Sequence, residues 1–225
     1  MSAFWHDALV VGSFRKVPLN TTSLIVGDFG AAAVLITFGV LLGKTNIHQL
    51  WVLAIFEILF YGMNQAIGAG ILEAVDMGGA MFVHTFGAYF GLAATYFFNP
   101  KKAMHDDESR NEGGYNSQLI AMIGTLFLWM YWPSFNSAMA APDQQQRVII
   151  NTILAISASC ITACGICRLF YHRLHMDVVL HATLAGGVAI GSASALIVTA
   201  SISMMIGSVA GIISATGFLV LSGFL

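Results

Sequence analysis

Charge is what this sequence has least of. Only 9% of its 225 residues are Asp, Glu, Lys or Arg, whereas 57% are hydrophobic; an ordinary soluble domain is roughly a quarter charged. A soluble globule must cover its surface with polar groups, and there are too few here to do so. Basic residues are also scarce. The nine Lys and Arg are scattered and the formal net charge is -2, so no basic stripe exists for nucleic acid and that class of partner is set aside. Cysteine is limited to Cys160, Cys164 and Cys167, all in one apolar run at i, i+4, i+7 spacing, which places them on one helix face. That pattern reads as small residues packed against a neighbouring helix rather than as a disulfide framework or metal site. Met1-Ser-Ala-Phe-Trp-His-Asp lacks the basic n-region and continuous apolar stretch of a cleavable signal. Insertion into a membrane therefore falls to the first membrane helix or to sequence upstream.

What is present in abundance is long apolar sequence. Seven segments can be read, at 23–43, 48–70, 77–98, 118–140, 148–169, 178–200 and 203–223. At about 1.5 Å per residue each spans roughly the 30 Å hydrocarbon core as a helix. The expected fold is thus all-α: a polytopic transmembrane bundle of about seven helices in one domain, with lipid as its solvent. Polar punctuation falls at Lys44-Thr45-Asn46, from Asn99-Pro100 to Asn116, at Pro142 to Arg147 and at Arg168 to Asp177. If direction alternates, Lys44, Lys101, Lys102, Arg110, Arg168 and Arg173 share one side, and Arg15, Lys16 and Arg147 the other. The positive-inside rule makes the first side cytoplasmic. Asn20-Thr21-Thr22 is then a glycosylation acceptor on the outer side, close to the membrane surface. Small-xxx-small pairs at Gly87/Gly91, Ala182/Gly186, Gly187/Gly191 and Gly207/Gly211 predict closely packed helices.

Ionisable groups within spans are costly and each needs a reason. Glu57, Glu73, Asp76 and His84 are the four. His84 lies near the middle of the third segment with no charged neighbour for several residues; it is either a neutral imidazole bonded to another helix or part of a path for cargo. Asp76, eight residues earlier, reads as a helix cap accepting from the amides of Gly78 and Gly79. A capping carboxylate also exerts a negative field on an approaching cation. Trp129, Tyr131 and Trp132 of the fourth segment read as an interfacial aromatic belt. Pro133 interrupts that helix's hydrogen bonding at a turn that can line a cavity.

Three stretches, Asp76-x-Gly-Gly-x-x-x-x-His84-Thr-Phe-Gly-Ala-Tyr-Phe-Gly, Met122 to Ala138 (MIGTLFLWMYWPSFNSA) and Ala182-Thr-Leu-Ala-Gly-Gly-Val-Ala-Ile-Gly191, resemble the ammonium transporter/Rh family, and the Rh glycoproteins most closely. The likeness extends through Gly27-Asp28-Phe29, Leu42-Gly43-Lys44 and Gly211 to Ser214, covering nearly all of the chain. It implies a homotrimer in the plasma membrane, each subunit with its own narrow, hydrophobic ammonium/ammonia pore, with carbon dioxide as a second candidate cargo. It implies that Phe29 and Phe135 form the outer gate, Asp76 is the buried carboxylate and His84 the first of two lumen histidines.

Departures from the family pattern bear on function. No other Asp is followed by His at eight residues, so the second lumen histidine of the family's inverted repeat is missing from these 225 residues. Helices expected upstream of Phe29 are also missing, and the sequence reads as an incomplete member. His175, His181 and Gln65 stand where relatives usually carry Asp, Asn and an acidic residue. His172, His175 and His181 read as solvated or capping histidines rather than metal ligands, and no cofactor is implied. The alternative to a conducting pore is a non-conducting structural Rh-type subunit or an inactive fragment. An intramembrane enzyme would need a nucleophile, metal set or cofactor motif beside His84, and none accompanies it.

Overall fold

Asn20 and Asn46 start the first two helices in the same way. In the computed structural model, which describes residues 19–98, 114–172 and 174–221, helix α1 (Thr21–Leu41) is entered through a capping box: Asn20 Oδ1 accepts from the Ser23 amide at 2.9 Å while Ser23 Oγ accepts from the Asn20 amide at 3.0 Å. Helix α2 (Ile47–Gln65) repeats the device with Asn46 and Gln49, both bonds 2.9 Å long. Each box satisfies two amides that the helix itself cannot. The intervening turn places Gly43 at φ +80°, in the left-handed region where glycine is least strained.

At its C-terminal end α2 passes into a π-helical segment, Ala66–Ile71, and a second π-helical segment, Ala80–Thr85, opens α3 (Phe86–Phe98). These elements belong to the first of two compact units into which the chain divides, residues up to 112 and residues from 113 onward. Leu41, Leu50, Leu53 and Ala94 form a buried cluster there, flanked by Phe38, Phe90 and Phe98. Helices α1 and α3 approach backbone to backbone: a Cβ on Gly87 would lie 2.8 Å from the Ala33 carbonyl oxygen. The Gly87/Gly91 pair is thus a contact surface, as its spacing predicts.

The second unit holds α4 (Tyr115–Ser137), α5 (Gln145–Tyr171), α6 (Met176–Gly191) and α7 (Ala200–Leu221). Helix α5 packs against the other three. Ala155, fully buried, receives both Gly186 of α6 and Gly207 of α7 against its backbone. Ser159 adds polar stitching, its Oγ donating to the Ala182 carbonyl at 2.6 Å and accepting from the Gly186 amide at 3.1 Å. Cys167 joins Ala163, Val178, Ala182 and Ala215 in a buried cluster, the packing role its helix face suggests. Its Sγ also lies 3.1 Å from the His175 amide.

All seven apolar segments are helical, with three corrections. The sixth was expected to run to residue 200, but α6 ends at Gly191. The carbonyls released beyond it are taken by α5: Asn151 Nδ2 donates to Ser194 O and Ile197 O at 2.9 and 2.8 Å, and Arg147 to Ala195 O at 3.2 Å. The third is not helical from residue 77, since its helix begins at Ala80. The expected interruption at Pro133 does not occur, because α4 continues through it to Ser137.

Four helical stretches, Thr21–Leu41, Ile47–Ile71, Gln145–Phe170 and Ala200–Val220, are long and apolar enough to cross a membrane. Large apolar side chains point outward along them and their neighbours, Ile55, Leu92 and Ile213 among them, each more than half exposed. A water-facing surface would not carry so many, and an integral membrane protein would. Of the basic residues used to orient the chain, Arg15, Lys16, Lys101, Lys102, Arg110 and Arg173 lie outside the described residues.

Candidate functional site

Between the two π-helical segments the chain leaves the helix, and this break explains two of the four ionisable residues. Glu73 sits in it, exposed and left-handed at φ +53°. Asp76 follows, and Gly79 at φ +68° turns the chain into the next helix. Asp76 is a cap, though not on the amides of Gly78 and Gly79: its Oδ2 accepts from Met81 N at 2.8 Å and Phe82 N at 2.7 Å. The physical reason is that Gly78 and Gly79 belong to the turn, with Gly79 N bonded to Asp76 O at 3.3 Å. The free amides of a helix are those of its first turn, and that turn begins at Ala80.

His84 lies in the same π-helical segment. Its amide and that of Val83 both donate to the Gly79 carbonyl, each at 2.9 Å, and its ring is half-buried. A π-helical turn carries one extra residue relative to an α-helical one, and such turns concentrate at functional sites. The wide turn is supported from α2: a Cβ on Gly68 would lie 2.6 Å from Phe82 Cζ, so Phe82 lies over the bare backbone of the first π-helical segment. Asp76 and His84 are thereby held by one short structure, the carboxylate on its leading amides and the imidazole one turn further on.

Phe29 is buried in α1 of the same unit, and α1 packs against the His84 segment. The neighbouring Gly30 faces the ring of Tyr61, which makes an edge-on contact with Phe86 at 5.9 Å. Phe135 belongs to the second unit and is half-buried, its ring 6.2 Å from that of Trp132 and tilted by 58°. Trp132 does not belong to an interfacial belt. It is buried against Gly187, where a Cβ would fall 2.7 Å from its Nε1, whereas Tyr131 is exposed as a belt residue should be.

Two buried polar arrangements escaped the sequence reading. Asn136, fully buried beside Phe135, donates to Thr152 Oγ1 and Gly187 O, both at 3.1 Å; Thr37, Glu57 and Gly87 form the other. The hint for the first was Asn136 inside an apolar run, opposite a segment rich in glycine. Asn20, the expected glycan acceptor, is the α1 cap described above. His181 stacks on Phe218 at 4.9 Å, nearly parallel. Among the described residues no three His, Cys, Asp or Glu gather as metal ligands would.

Comparison with known proteins converges on one group. The model of the Ammonium Transporter Family matches residues 3–224. Curated relatives include the ammonium transporter Rh type B of Takifugu rubripes, 44% identical over 93% of this chain and 46% of that protein. The Rh type A protein of Rattus norvegicus is also 44% identical, over 93% and 47% respectively. The Rh type C protein of Canis lupus familiaris is 40% identical over 98% and 48%. The chain thus spans about half the length of the curated relatives it matches. Among solved structures, Nitrosomonas europaea Rh50, described as one of the Rhesus protein family of channels, matches 100% of this chain and 64% of its own, with a TM-score of 0.88 and 28% identity. A sensor Amt protein matches 85% and 51%, with a TM-score of 0.71 and 26% identity.

Proposed function

The chain belongs to the Ammonium Transporter Family, and from that premise we propose that it forms a partial transmembrane domain, residues 1–225, carrying one part of an ammonium/ammonia pathway. The observation that carries this reading is the Asp76–His84 turn. A carboxylate locked onto the amides of Met81 and Phe82 gives a fixed negative field at the start of the helix, and the half-buried imidazole of His84 follows within the apolar segment. Ammonium would lose strong hydration on entering such a segment, whereas neutral ammonia loses far less. In the proposed sequence the cation is drawn to Asp76 and gives its proton to water near the mouth. Ammonia then passes His84, bonding to the ring nitrogen, and takes up a proton on leaving. Phe29 and Phe135 are each proposed as a gate residue of the outer mouth.

The same reading makes the protein a transporter, not an enzyme, placed in the plasma membrane as a homotrimer in its full-length form, with Asn20 as a candidate glycan acceptor. Carbon dioxide is a second candidate cargo. The test is flux of ammonia into vesicles that contain the chain and an internal pH dye. His84→Ala should abolish the protein-dependent alkalinisation, and unchanged flux would sink the assignment. If the unsubstituted chain inserts and assembles but adds no flux, the alternative of a non-conducting Rh-type subunit or inactive fragment takes its place.

A further inference from the structure

Glu57 is a carboxyl group inside a membrane span that the pathway above does not use. It lies in the interior of the apolar stretch Ile47–Ile71 and is fully buried. Helices α1, α2 and α3 contain neither Lys nor Arg. Their other ionisable side chains are remote in sequence register or uncharged phenols: Asp28, exposed, in the first half of α1; exposed His48 at the start of α2; Tyr61 one turn beyond Glu57; and Tyr89 and Tyr96 on α3, both exposed. Lys44, in the α1–α2 turn, is exposed, and His84 belongs to the turn already described. Among the described residues no cation neutralises Glu57, and its Oε2 has no hydrogen-bond partner there.

The other oxygen, Oε1, lies 2.6 Å from Thr37 Oγ1, and the same Thr37 Oγ1 lies 2.9 Å from the Gly87 carbonyl oxygen. Proton counting decides what this arrangement is. A hydroxyl has a single hydrogen, and a backbone carbonyl can only accept. If Thr37 donates to Gly87, the hydrogen in the shorter contact must come from Glu57. If Thr37 instead donates to an ionised Glu57, the Gly87 contact loses its hydrogen and a buried charge rests on one hydroxyl with its second oxygen bare, an arrangement burial strongly disfavours.

We infer that Glu57 is a neutral acid that donates to Thr37, which donates to Gly87, a two-bond chain that fixes the α1–α3 contact behind the helix carrying His84. Glu57 is in this sense a positioning residue: it completes the acceptor side of Thr37, and Thr37 holds the carbonyl three residues beyond His84. Gly87 is also where α3 touches the Ala33 carbonyl, so the chain acts where the two backbones come close. Nothing in this inference depends on whether the protein conducts ammonia.

Magnetic resonance of the chain in lipid vesicles at pH 7 tests it. The sequence has four glutamates, so carbon-13 in the glutamate carboxyl gives a short spectrum. The expected result is one acid-type resonance that disappears in Glu57→Gln. It should move in Thr37→Val and stay in place in Thr37→Ser, which restores the hydroxyl, and the carbonyl resonance of Gly87 should follow the same pattern. Should Glu57→Gln fail to fold, through-space transfer from the acid-type carbon to Thr37 Cβ in the unsubstituted chain makes the assignment. Carboxylate-type resonances for all four glutamates would overturn the inference, as would an acid-type resonance indifferent to Thr37→Val.

Discussion

Gly207 and Gly217 lie on the same helix, α7, and alanine should destabilise at the first and not at the second. A Cβ on Gly207 would lie 2.7 Å from both the carbonyl carbon and the Cα of Ala155, where ordinary contact begins at 3.4 Å. These are backbone atoms of a fully buried residue, so no side-chain rotation can relieve the overlap and α7 must move away from α5. Close-packed interiors resist such movement, and overpacking costs about 1–3 kcal/mol. Alanine's better helix propensity returns at most about 1 kcal/mol. Gly207→Ala should therefore lose about 2 kcal/mol before that return and remain net destabilised, its unfolding midpoint falling by several degrees. Gly217, where an added Cβ would meet nothing within 4 Å, incurs no overlap and should be neutral or stabilised by up to about 1 kcal/mol. Because Gly186 also meets the Ala155 backbone, the costs of Gly186→Ala and Gly207→Ala should not add, since both perturb one contact. The assay is unfolding of the purified chain in mixed micelles, followed by helical circular dichroism. Equal shifts for Gly207→Ala and Gly217→Ala would refute the claim that α7 is seated on the Ala155 backbone.

Asp76 can be tested with two replacements that separate its cap from its charge. Asp76→Ala removes the acceptor of two amides and should cost about 1–2 kcal/mol of stability; Asp76→Asn keeps an acceptor oxygen and should cost less than half as much, so a loss of ammonia flux in the Asn variant would be due to the missing charge. Asn151→Ala should strip the Ser194 and Ile197 carbonyls of their donor and cost about 1–3 kcal/mol. Amide hydrogen exchange should quicken between Ala193 and Ala200 before it does elsewhere in the second unit, and uniform exchange would contradict the anchoring role.

The seven α-helices of the described residues were legible because lipid permits little else. A backbone crossing hydrocarbon must satisfy its own hydrogen bonds, so apolar length and element type carry nearly the same information. Helix contacts were legible for a related reason: only glycine or alanine lets two backbones touch, and Gly87, Gly186 and Gly207 do so. What sequence could not supply were the exceptions to regular helix. The end of α6 at Gly191 depends on Asn151 and Arg147, 43 to 48 residues before the loose carbonyls to which they donate. Trp132 reads as a belt residue until Gly187 provides the flat backbone on which it is buried. Asp76 was legible as a cap, but not on which amides, since the onset of the helix depends on the left-handed turn at Gly79.

Glu57 and Asp76, two of the acids of the first unit, differ in a way composition alone conceals. Both interrupt apolar sequence, and a rule that treats every intramembrane carboxyl as a functional charge would group them together. Hydrogen-bond direction separates them. Asp76 receives two amide hydrogens on one oxygen, an arrangement that calls for an acceptor. Glu57 meets a hydroxyl whose hydrogen has a second claimant in the Gly87 carbonyl, an arrangement that calls for a donor and favours the acid. On the proposed pathway a cation would then meet Asp76 as an acceptor, whereas Glu57, with its proton committed to Thr37, serves the α1–α3 contact and not the cation.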